Sequence, residues 1–320
     1  MSEFTDFLVK VDDLVWGIPL IVLILAAGIY LTFRLRLLQI VHLPKALKYM
    51  FKNEEDGHGE VSSFGALCTA LSATIGTGNI VGVATAIGCT ALGTAVGGPG
   101  ALFWMWVAAF FGMATKYAEG FLAVRYRTID EEGHVLGGPF YYIENGMGHK
   151  WKWLAKVFSF FGACVGLFGI GTFTQVNGIA SAVQSFFDPN KEDTVSILGN
   201  DYSIAIVITA FALAICVGLV GGIKRIASVS QVIVPFMAIL YIVAVLVLIV
   251  TNIEKLPGAL ATIVEYAFGV KAVAGGVLSS IAISMQKGIA RGIFSNEAGL
   301  GSAPIAAAAA KTKEPVRQGL

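Results

Sequence analysis

Charge is the scarcest property of this sequence. Only 13% of the 320 residues are charged, against about 25% in a typical soluble domain, while 56% are hydrophobic and the mean hydropathy is +0.76. So few charges cannot cover a globular surface with polar groups, so we expect lipid rather than water around most of the chain. The net charge of +1 gives no indication of nucleic-acid binding. The composition therefore predicts an all-α polytopic membrane protein.

Cysteine and histidine are also rare, with four residues of each. The cysteines are scattered through apolar stretches without the spacing of a zinc site or a disulfide framework. All four histidines fall in loops or at segment ends, and no aspartate lies inside a predicted crossing. An intramembrane catalytic or metal centre cannot be assembled from these residues, which argues against an enzyme. Neutral oxygens are abundant, which favours Na⁺ over H⁺ as a transported ion.

Seven apolar segments are long enough to cross a bilayer, which takes about 20 residues of helix. The acidic N-terminus makes a poor signal peptide. The predicted segments are residues 14–33, 62–92, 99–124, 153–184, 203–222, 228–250 and 260–285.

Basic residues gather in alternate loops between these segments. They follow the first, third, fifth and seventh segments, whereas the other loops carry mainly acidic residues around Lys191 and Lys255. Because basic residues are retained on the cytoplasmic side, we expect the N-terminus outside and a multi-pass protein of the cytoplasmic membrane. The basic loop residues include Arg34, Arg36, Lys45, Lys48, Lys52, Arg125, Arg127, Lys150, Lys152, Lys224, Arg225, Lys287 and Arg291.

The second segment carries the string Gly76-Thr77-Gly78-Asn79 near its middle. Glycine weakens a helix by about 1 kcal/mol relative to alanine, and threonine and asparagine side chains compete for backbone hydrogen bonds. A helix broken here would expose carbonyls suited to Na⁺ and a helix N-terminus suited to a carboxylate. The same glycines would also allow close helix packing, since Gly78 and Gly82 have small-xxx-small spacing. On these residues alone both interpretations stay open.

Four other parts of the sequence carry glycines or polar residues in or near the predicted crossings. A second break is expected at Gly275–Ser280, although packing glycines explain it equally well. The run 171–177 places amides inside an apolar helix, where hydrogen bonds between helices are their commoner use. Glu119 follows Lys116 by one helical turn, which favours an ion pair. The motif 295–304 is expected to pack against an inner gate, with Glu297 and Arg291 as latch charges or as part of a capped surface turn.

Four strings resemble the alanine or glycine:cation symporter family. They are LSATIGTGNIVGVATAI (71–87), GGPGALFWMWVAAFFGMATKYAEGFLAVRYR (97–127), GGPFYYIENGMG (137–148) and GIARGIFSNEAGLGSAPIAAAAAKT (288–312). The resemblance implies a LeuT-like inverted-repeat fold and sodium-coupled secondary active uptake of alanine, glycine or similar small neutral amino acids by alternating access. It divides the chain into an additional N-terminal helix and loop (1–61), a first five-helix repeat (62–250) and the start of a second repeat (251–320).

The resemblance also implies the site residues. Thr77, Gly78 and Asn79 would meet the substrate carboxylate and amine. Backbone carbonyls of Ala73 and Gly76 would ligate Na⁺, the coupling ion. Phe173 and Gln175 would face the pocket from another helix, and Gly276 and Ile281 would belong to the second break. Phe173 and Ile281 would exclude large side chains.

Family members continue into further crossings beyond the position of Leu320. We therefore expect the second repeat to be incomplete in these 320 residues and the fragment alone to be inactive in transport. An ion channel or an H⁺-coupled carrier is the alternative function. The expected partners are the amino-acid substrate and the lipid bilayer, with no nucleic acid and no obligate protein partner.

Overall fold

The computed structural model describes residues 2–15, 17–51, 59–88, 97–168, 170–190, 194–197, 200–219, 222–269 and 277–320. Helices dominate the described residues, and their first half comprises α1 (Ser2–Val15), α2 (Ile18–Arg34), α3 (Leu38–Val41), α4 (Leu43–Phe51), α5 (Ser63–Thr74), α6 (Thr77–Ile87), α7 (Gly100–Arg125) and α8 (Pro139–Met147). The second half comprises α9 (Lys152–Phe168), α10 (Ile170–Phe187), α11 (Ile204–Leu219), α12 (Gly222–Thr251), α13 (Leu256–Ala267), α14 (Val277–Asn296), α15 (Ala303–Ala308) and α16 (Pro315–Gly319).

Two short antiparallel hairpins interrupt the helices. Strands β1 (Thr128–Ile129) and β2 (Val135–Leu136) pair after α7, and β3 (Thr194–Ile197) and β4 (Asn200–Ser203) pair before α11. Apart from Ser203, the first residue of the fifth predicted segment, these strands lie outside the predicted crossings, so the all-α expectation holds for the described membrane segments. They were not predicted, because two to four residues are too few for an alternating pattern to be recognised.

Each predicted apolar segment contains helix, but several boundaries were wrong. The segment expected to end at residue 285 continues as helix to Asn296, and the loop after the first segment contains α3 and α4. Two described stretches, Ser63–Ile87 and Lys224–Thr251, are long and apolar enough to cross a membrane, and Ile18–Arg34 is a shorter apolar helix. The count of seven crossings, the LeuT-like fold and the division into repeats stay predictions.

Helix α7 forms the centre of the packing, and α14 runs along it. Small residues allow this approach: a Cβ added at Gly288 would lie 2.4 Å from the Ala101 carbonyl oxygen, and one at Gly292 would lie 2.9 Å from the Ala108 Cβ. Ile289 and Ile293 are buried in the same interface together with Ala108. Because the two backbones are this close, α14 has a fixed register on α7.

The N-terminal end of α5 is joined to the segment that follows α15. Val61 pairs with Ala310 in a parallel bridge, and its carbonyl accepts a 2.7 Å hydrogen bond from the Lys311 N–H. The N–H groups of Glu60 and Val61 both donate to the Ala309 carbonyl. Residues 59–63 and 309–312 therefore form one small hydrogen-bonded unit.

Arg127 holds the same segment from the other side. Its guanidinium donates to the carbonyls of Ala308 and Ala310, both at 2.7 Å, and to the carbonyl of Thr312 at 2.8 Å. Partial burial lowers the pKa of Arg127 from its ordinary value. Three charge-assisted bonds from one planar group give this segment a defined geometry after its helix ends.

Candidate functional site

The predicted break in the second segment is present. Helix α5 ends at Thr74 and α6 begins at Thr77, and between them Ile75 (φ −85°, ψ 94°) and Gly76 (φ −144°, ψ −159°) are extended. The interruption thus lies slightly earlier than the predicted string, and Thr77, Gly78 and Asn79 form the first turn of α6. This confirms the break itself.

The break redirects backbone hydrogen bonds that a continuous helix would use. The Thr77 N–H, which would otherwise meet the Ala73 carbonyl, donates to Gln175 Oε1 at 3.0 Å. The last carbonyls of α5 and the first N–H groups of α6 have no partners within their own helices. The negative end of one helix dipole therefore faces the positive end of another across two residues, an arrangement that suits a cation on one side and a carboxylate on the other.

Helix α10 packs directly against the break. A Cβ added at Gly76 would lie 2.2 Å from Gln175 Nε2, and one at Gly178 would lie 2.4 Å from Thr77 Cγ2. Glycine is needed at both positions for this contact. A Cβ added at Gly82, in contrast, would meet no atom of the described residues within 4 Å. The packing interpretation was made for Gly78 and Gly82: an added Cβ at Gly78 would meet the Phe294 ring at 3.3 Å, whereas Gly82 is buried without a described atom near its added Cβ.

Helix α14 supplies the other described neighbours of the break. The Ser295 hydroxyl donates a hydrogen bond to Asn79 Oδ1. A Cβ added at Gly78 would lie 3.3 Å from the Phe294 ring. Neither α14 residue was predicted for the site. The polar string that begins at Ser295 was a visible signal, but nothing in the sequence indicates that it reaches residues 76–79.

The structure brings six of the nine predicted residues together, and the other three lie apart from them or outside the description. Ala73, Gly76, Thr77, Gly78, Asn79 and Gln175 meet at the break. Phe173 is 72% exposed. Ile281 is half-buried near the start of α14, about 20 Å along the helix from Phe294 at 1.5 Å per residue. Gly276, with most of the second predicted break, lies outside the described residues.

A buried carboxylate lies on α7 beside the turn that follows α14. Glu119 is 8% exposed and accepts hydrogen bonds from the backbone N–H groups of Gly299 and Gly301. The predicted Lys116–Glu119 pair is not in direct contact in the described part of the chain, where Lys116 Nζ has no hydrogen-bond partner, although the two charges attract each other. The two backbone donors lie on the turn after α14, whereas one carboxylate oxygen, Glu119 Oε2, has no hydrogen-bond partner in the described part of the chain.

The predicted latch charges have different partners. Glu297 accepts a 2.7 Å hydrogen bond from the Ser302 hydroxyl, within the same turn. The ion pairs found among the described residues do not include Arg291.

Outside the membrane segments, burial raises the pKa of the Tyr142 phenol, and the nearby charge of Glu119 raises it further, so this hydroxyl stays protonated.

A cavity of about 590 Å³ runs beside α5. It is lined by Thr74 close to the break, by Ser63 at the opposite end of that helix, and by Met113 and Lys116 of α7. Asn296 also lines it, at the end of α14. The first half of the broken helix therefore has one face on open space and the other on packed protein.

Comparison with known proteins gives the context of this geometry. The sequence profile of the sodium:alanine symporter family matches residues 1–320. The chain belongs to this family. The family comprises membrane transporters rather than enzymes, which agrees with the apolar composition and indicates a multi-pass protein of the plasma membrane.

Three relatives show how close the similarity is. An uncharacterized transporter of Haemophilus influenzae is 54% identical, covering 98% of this chain and 64% of the relative. A sodium/alanine symporter of Methanococcus maripaludis is 48% identical, covering 99% and 66%. A putative sodium/proton-dependent alanine carrier of Bacillus subtilis is 40% identical, covering 98% and 59%. The chain thus spans roughly three fifths to two thirds of the length of these relatives.

Proposed function

We propose that the protein carries out sodium-coupled secondary active uptake of alanine, glycine or similar small neutral amino acids by alternating access. One observation carries the proposal: in a chain of the sodium:alanine symporter family, a helix breaks at Ile75–Gly76 and polar groups from α6, α10 and α14 meet there. Neither a packing role nor a structural kink alone requires this set of amide and hydroxyl groups.

The substrate carboxylate belongs at the N-terminus of α6. The Thr77 N–H is occupied by Gln175, so the remaining first-turn donors include the Thr77 hydroxyl, the Gly78 N–H and the Asn79 side-chain amide. Gly78 has no side chain to obstruct a ligand that approaches its backbone. The positive end of the helix dipole adds to the attraction, and the substrate amine would face the carbonyl end of α5.

Sodium belongs at the other side of the break. The Ala73 carbonyl lacks its helical donor, because the Thr77 N–H points to Gln175. The Gly76 carbonyl accepts a 3.1 Å bond from the Asn79 N–H and keeps a second lone pair. Unwound carbonyls of this kind coordinate Na⁺ in transporters with broken helices. Both ligands are neutral, so a bound cation would be held without a compensating carboxylate.

The remaining parts of the proposal depend on the family resemblance. They are the LeuT-like inverted repeat, the external N-terminus, the second break that includes Gly276, and a pocket limited in size by Phe173 and Ile281. The cavity beside α5 supports a mechanism in which this half-helix has space to move. Alternating access needs such space on one side of the site at a time.

Uptake of labelled alanine tests the proposal. The protein, expressed from its own gene and reconstituted in proteoliposomes, should accumulate alanine under an inward Na⁺ gradient and not with choline in place of Na⁺. Asn79→Ala should abolish uptake, because it removes the amide at the helix N-terminus. Asn252→Ala, at an exposed asparagine near the end of α12, is the matched control and should transport normally.

Two results would refute separate parts of the proposal. Unchanged uptake by Asn79→Ala would remove the break from the site. Accumulation driven by a pH gradient in choline would assign coupling to H⁺, for which the relative named as a sodium/proton-dependent alanine carrier gives a specific reason. A further relative is named as a probable sodium/glutamine symporter, so glutamine belongs among the competitors.

A further inference from the structure

The orientation of the Asn79 amide is the feature of the site that the transport proposal leaves unexplained. Asparagine carries one acceptor oxygen and one NH₂ group with two donors, and either end can face a ligand. In the structure the oxygen is engaged, because the Ser295 hydroxyl donates to Asn79 Oδ1. The NH₂ group is therefore the end of the amide left for another partner.

Ser295 is held in place by the packing of its own helix. It lies at the C-terminal end of α14, whose close contacts through Gly288 and Gly292 set its position on α7. The following turn is fixed as well: Glu297 has a positive φ of 51°, and Gly299 and Gly301 donate their N–H groups to Glu119 of α7. Ser295 is thus positioned by α7 from both sides along the chain.

The chemistry of the two ends of the amide then determines what the site accepts. A substrate carboxylate needs N–H donors, whereas an ammonium group needs oxygen acceptors. With its oxygen turned toward Ser295, Asn79 presents its NH₂ group, rather than its oxygen, to a ligand on the other side. If the amide turned over, its oxygen would face the carboxylate and repel it, and the Ser295 hydroxyl would have to become an acceptor.

We propose that Ser295 is a positioning residue for substrate binding: its hydroxyl holds the Asn79 amide so that the NH₂ group faces the substrate carboxylate. Glu119 supports this role indirectly, by fixing the turn that follows Ser295. This role presupposes the proposed transport function, because it requires a carboxylate ligand at the break.

Three variants of the reconstituted full protein test the role of the Ser295 hydroxyl. The readout is alanine uptake at saturating Na⁺, analysed separately as KM and maximal rate. Ser295→Ala removes the donor and should raise KM about tenfold, the effect of roughly one hydrogen bond, with a smaller change in maximal rate. Ser295→Thr keeps a hydroxyl and should restore KM to within about threefold of wild type. Ser284→Ala is the matched control, since Ser284 lies on the same helix, is 1% exposed and has a hydroxyl without a hydrogen-bond partner in the described chain; its KM should not change.

The variant Asn79→Asp tests whether Ser295 acts by orienting the Asn79 amide or only by contacting residue 79. The carboxylate can still accept from Ser295, but it offers no donor and adds a negative charge. We expect KM to rise on the order of a hundredfold, as for loss of a bond to a charged group. In the Asn79→Asp background, Ser295→Ala should add little, because there is no amide left to orient. A tenfold effect of Ser295→Ala in both backgrounds would overturn the proposal.

Failure of the inference and failure of the proposed function give different results. Wild-type protein that neither takes up nor binds alanine with Na⁺ would refute the transport function, and the role of Ser295 with it. Active wild type with an unchanged KM in Ser295→Ala would refute only the role of Ser295. If Ser295→Ala does not fold, as judged by its thermal unfolding in detergent, Ser295→Cys replaces it, with the same expected rise in KM and the same refuting result.

Discussion

Gly76 lies in the break next to the side-chain amide of Gln175. Gly76 has an ordinary extended backbone, φ −144°, which any residue can adopt. Its importance comes from the Gln175 amide, which would lie 2.2 Å from an added Cβ. Gly76 thus leaves space for the Gln175 side chain, which accepts the hydrogen bond of the Thr77 N–H. Conformational freedom is not needed at this position.

Substituting this glycine gives the prediction at the scale of one residue. Gly76→Ala should push the Gln175 amide away, break its bond to Thr77 and raise the KM for alanine about tenfold, the equivalent of one hydrogen bond. Its effect on thermal unfolding should be small, because the displaced atoms are the end of a flexible side chain. Uptake kinetics and unfolding of the purified protein measure the two effects.

Gly82→Ala is the control for that substitution. Gly82 lies on the same helix, and an added methyl group would meet no described atom within 4 Å. Alanine there should leave KM unchanged and stabilise the helix by about 0.5–1 kcal/mol. Equal loss of affinity in both variants would show that any glycine in α6 matters, and that Gln175 has no special part.

At the scale of helices, the position of the site depends on how closely α14 packs on α7. An added Cβ at Gly288 would lie 2.4 Å from a backbone oxygen of Ala101 and 2.8 Å from the Trp104 Cβ. A backbone atom cannot rotate away as the Gln175 amide can. The two helices must therefore separate if the methyl group is to fit.

Gly288→Ala should accordingly lower stability rather than affinity. Overpacking of this kind costs about 1–3 kcal/mol, and thermal unfolding in detergent should show a lower midpoint than wild type. Gly258→Ala is the matched control, because a Cβ on α13 at that position meets no described atom within 4 Å. A midpoint for Gly288→Ala equal to that of the control would mean that the two helices are less tightly joined than the structure shows.

Sequence patterns predicted helices well and contacts between helices poorly. The glycines and the polar residues that follow them predicted the break, because helix propensity is a local property. The extension of α14 to Asn296 was missed because Lys287 and Arg291 end the apolar run, although charged residues do not end a helix. Helix α4 was missed because only nine residues form it.

The residues of the candidate site were likewise predicted only in part. Asn79 and Gln175 were predicted with the help of the family resemblance, and the structure places both at the break. Ser295 was not predicted, because it lies 216 residues from Asn79 in the chain and no local pattern relates them. The contacts of Glu119 were predicted only in part for a similar reason: Lys116, one turn away on the same helix, was visible in the sequence, but the two glycine N–H groups on a distant turn were not.

At the scale of the whole molecule, the alternation of basic loops predicts which surfaces face the cytoplasm. It places the β1–β2 hairpin inside and the β3–β4 hairpin outside. Glu132 and Ser196 are exposed residues in these two hairpins. They are suitable positions for a test of orientation, because both lie away from the break.

Single cysteines at these positions should react differently in intact cells. In a background without the native cysteines, Ser196→Cys should be labelled by a membrane-impermeant maleimide, and Glu132→Cys only after the cells are opened. Labelling of both residues by a permeant maleimide is the control for reactivity. The reverse pattern would place the N-terminus inside the cell and reverse the orientation of every segment.

The pairing of Val61 with Ala310 has a mechanical consequence. Residues 59–63 share backbone hydrogen bonds with residues 309–312. A tilt of α5 must therefore move residues 309–312 with it or break these hydrogen bonds. Arg127 also binds this segment next to the end of α7. Because Ala309, Ala310 and Thr312 are buried, the N-terminal end of α5 is anchored in the protein interior. A nanobody that binds the exposed side chains of Lys311 and Lys313 should therefore slow a tilt of α5 without contacting the break.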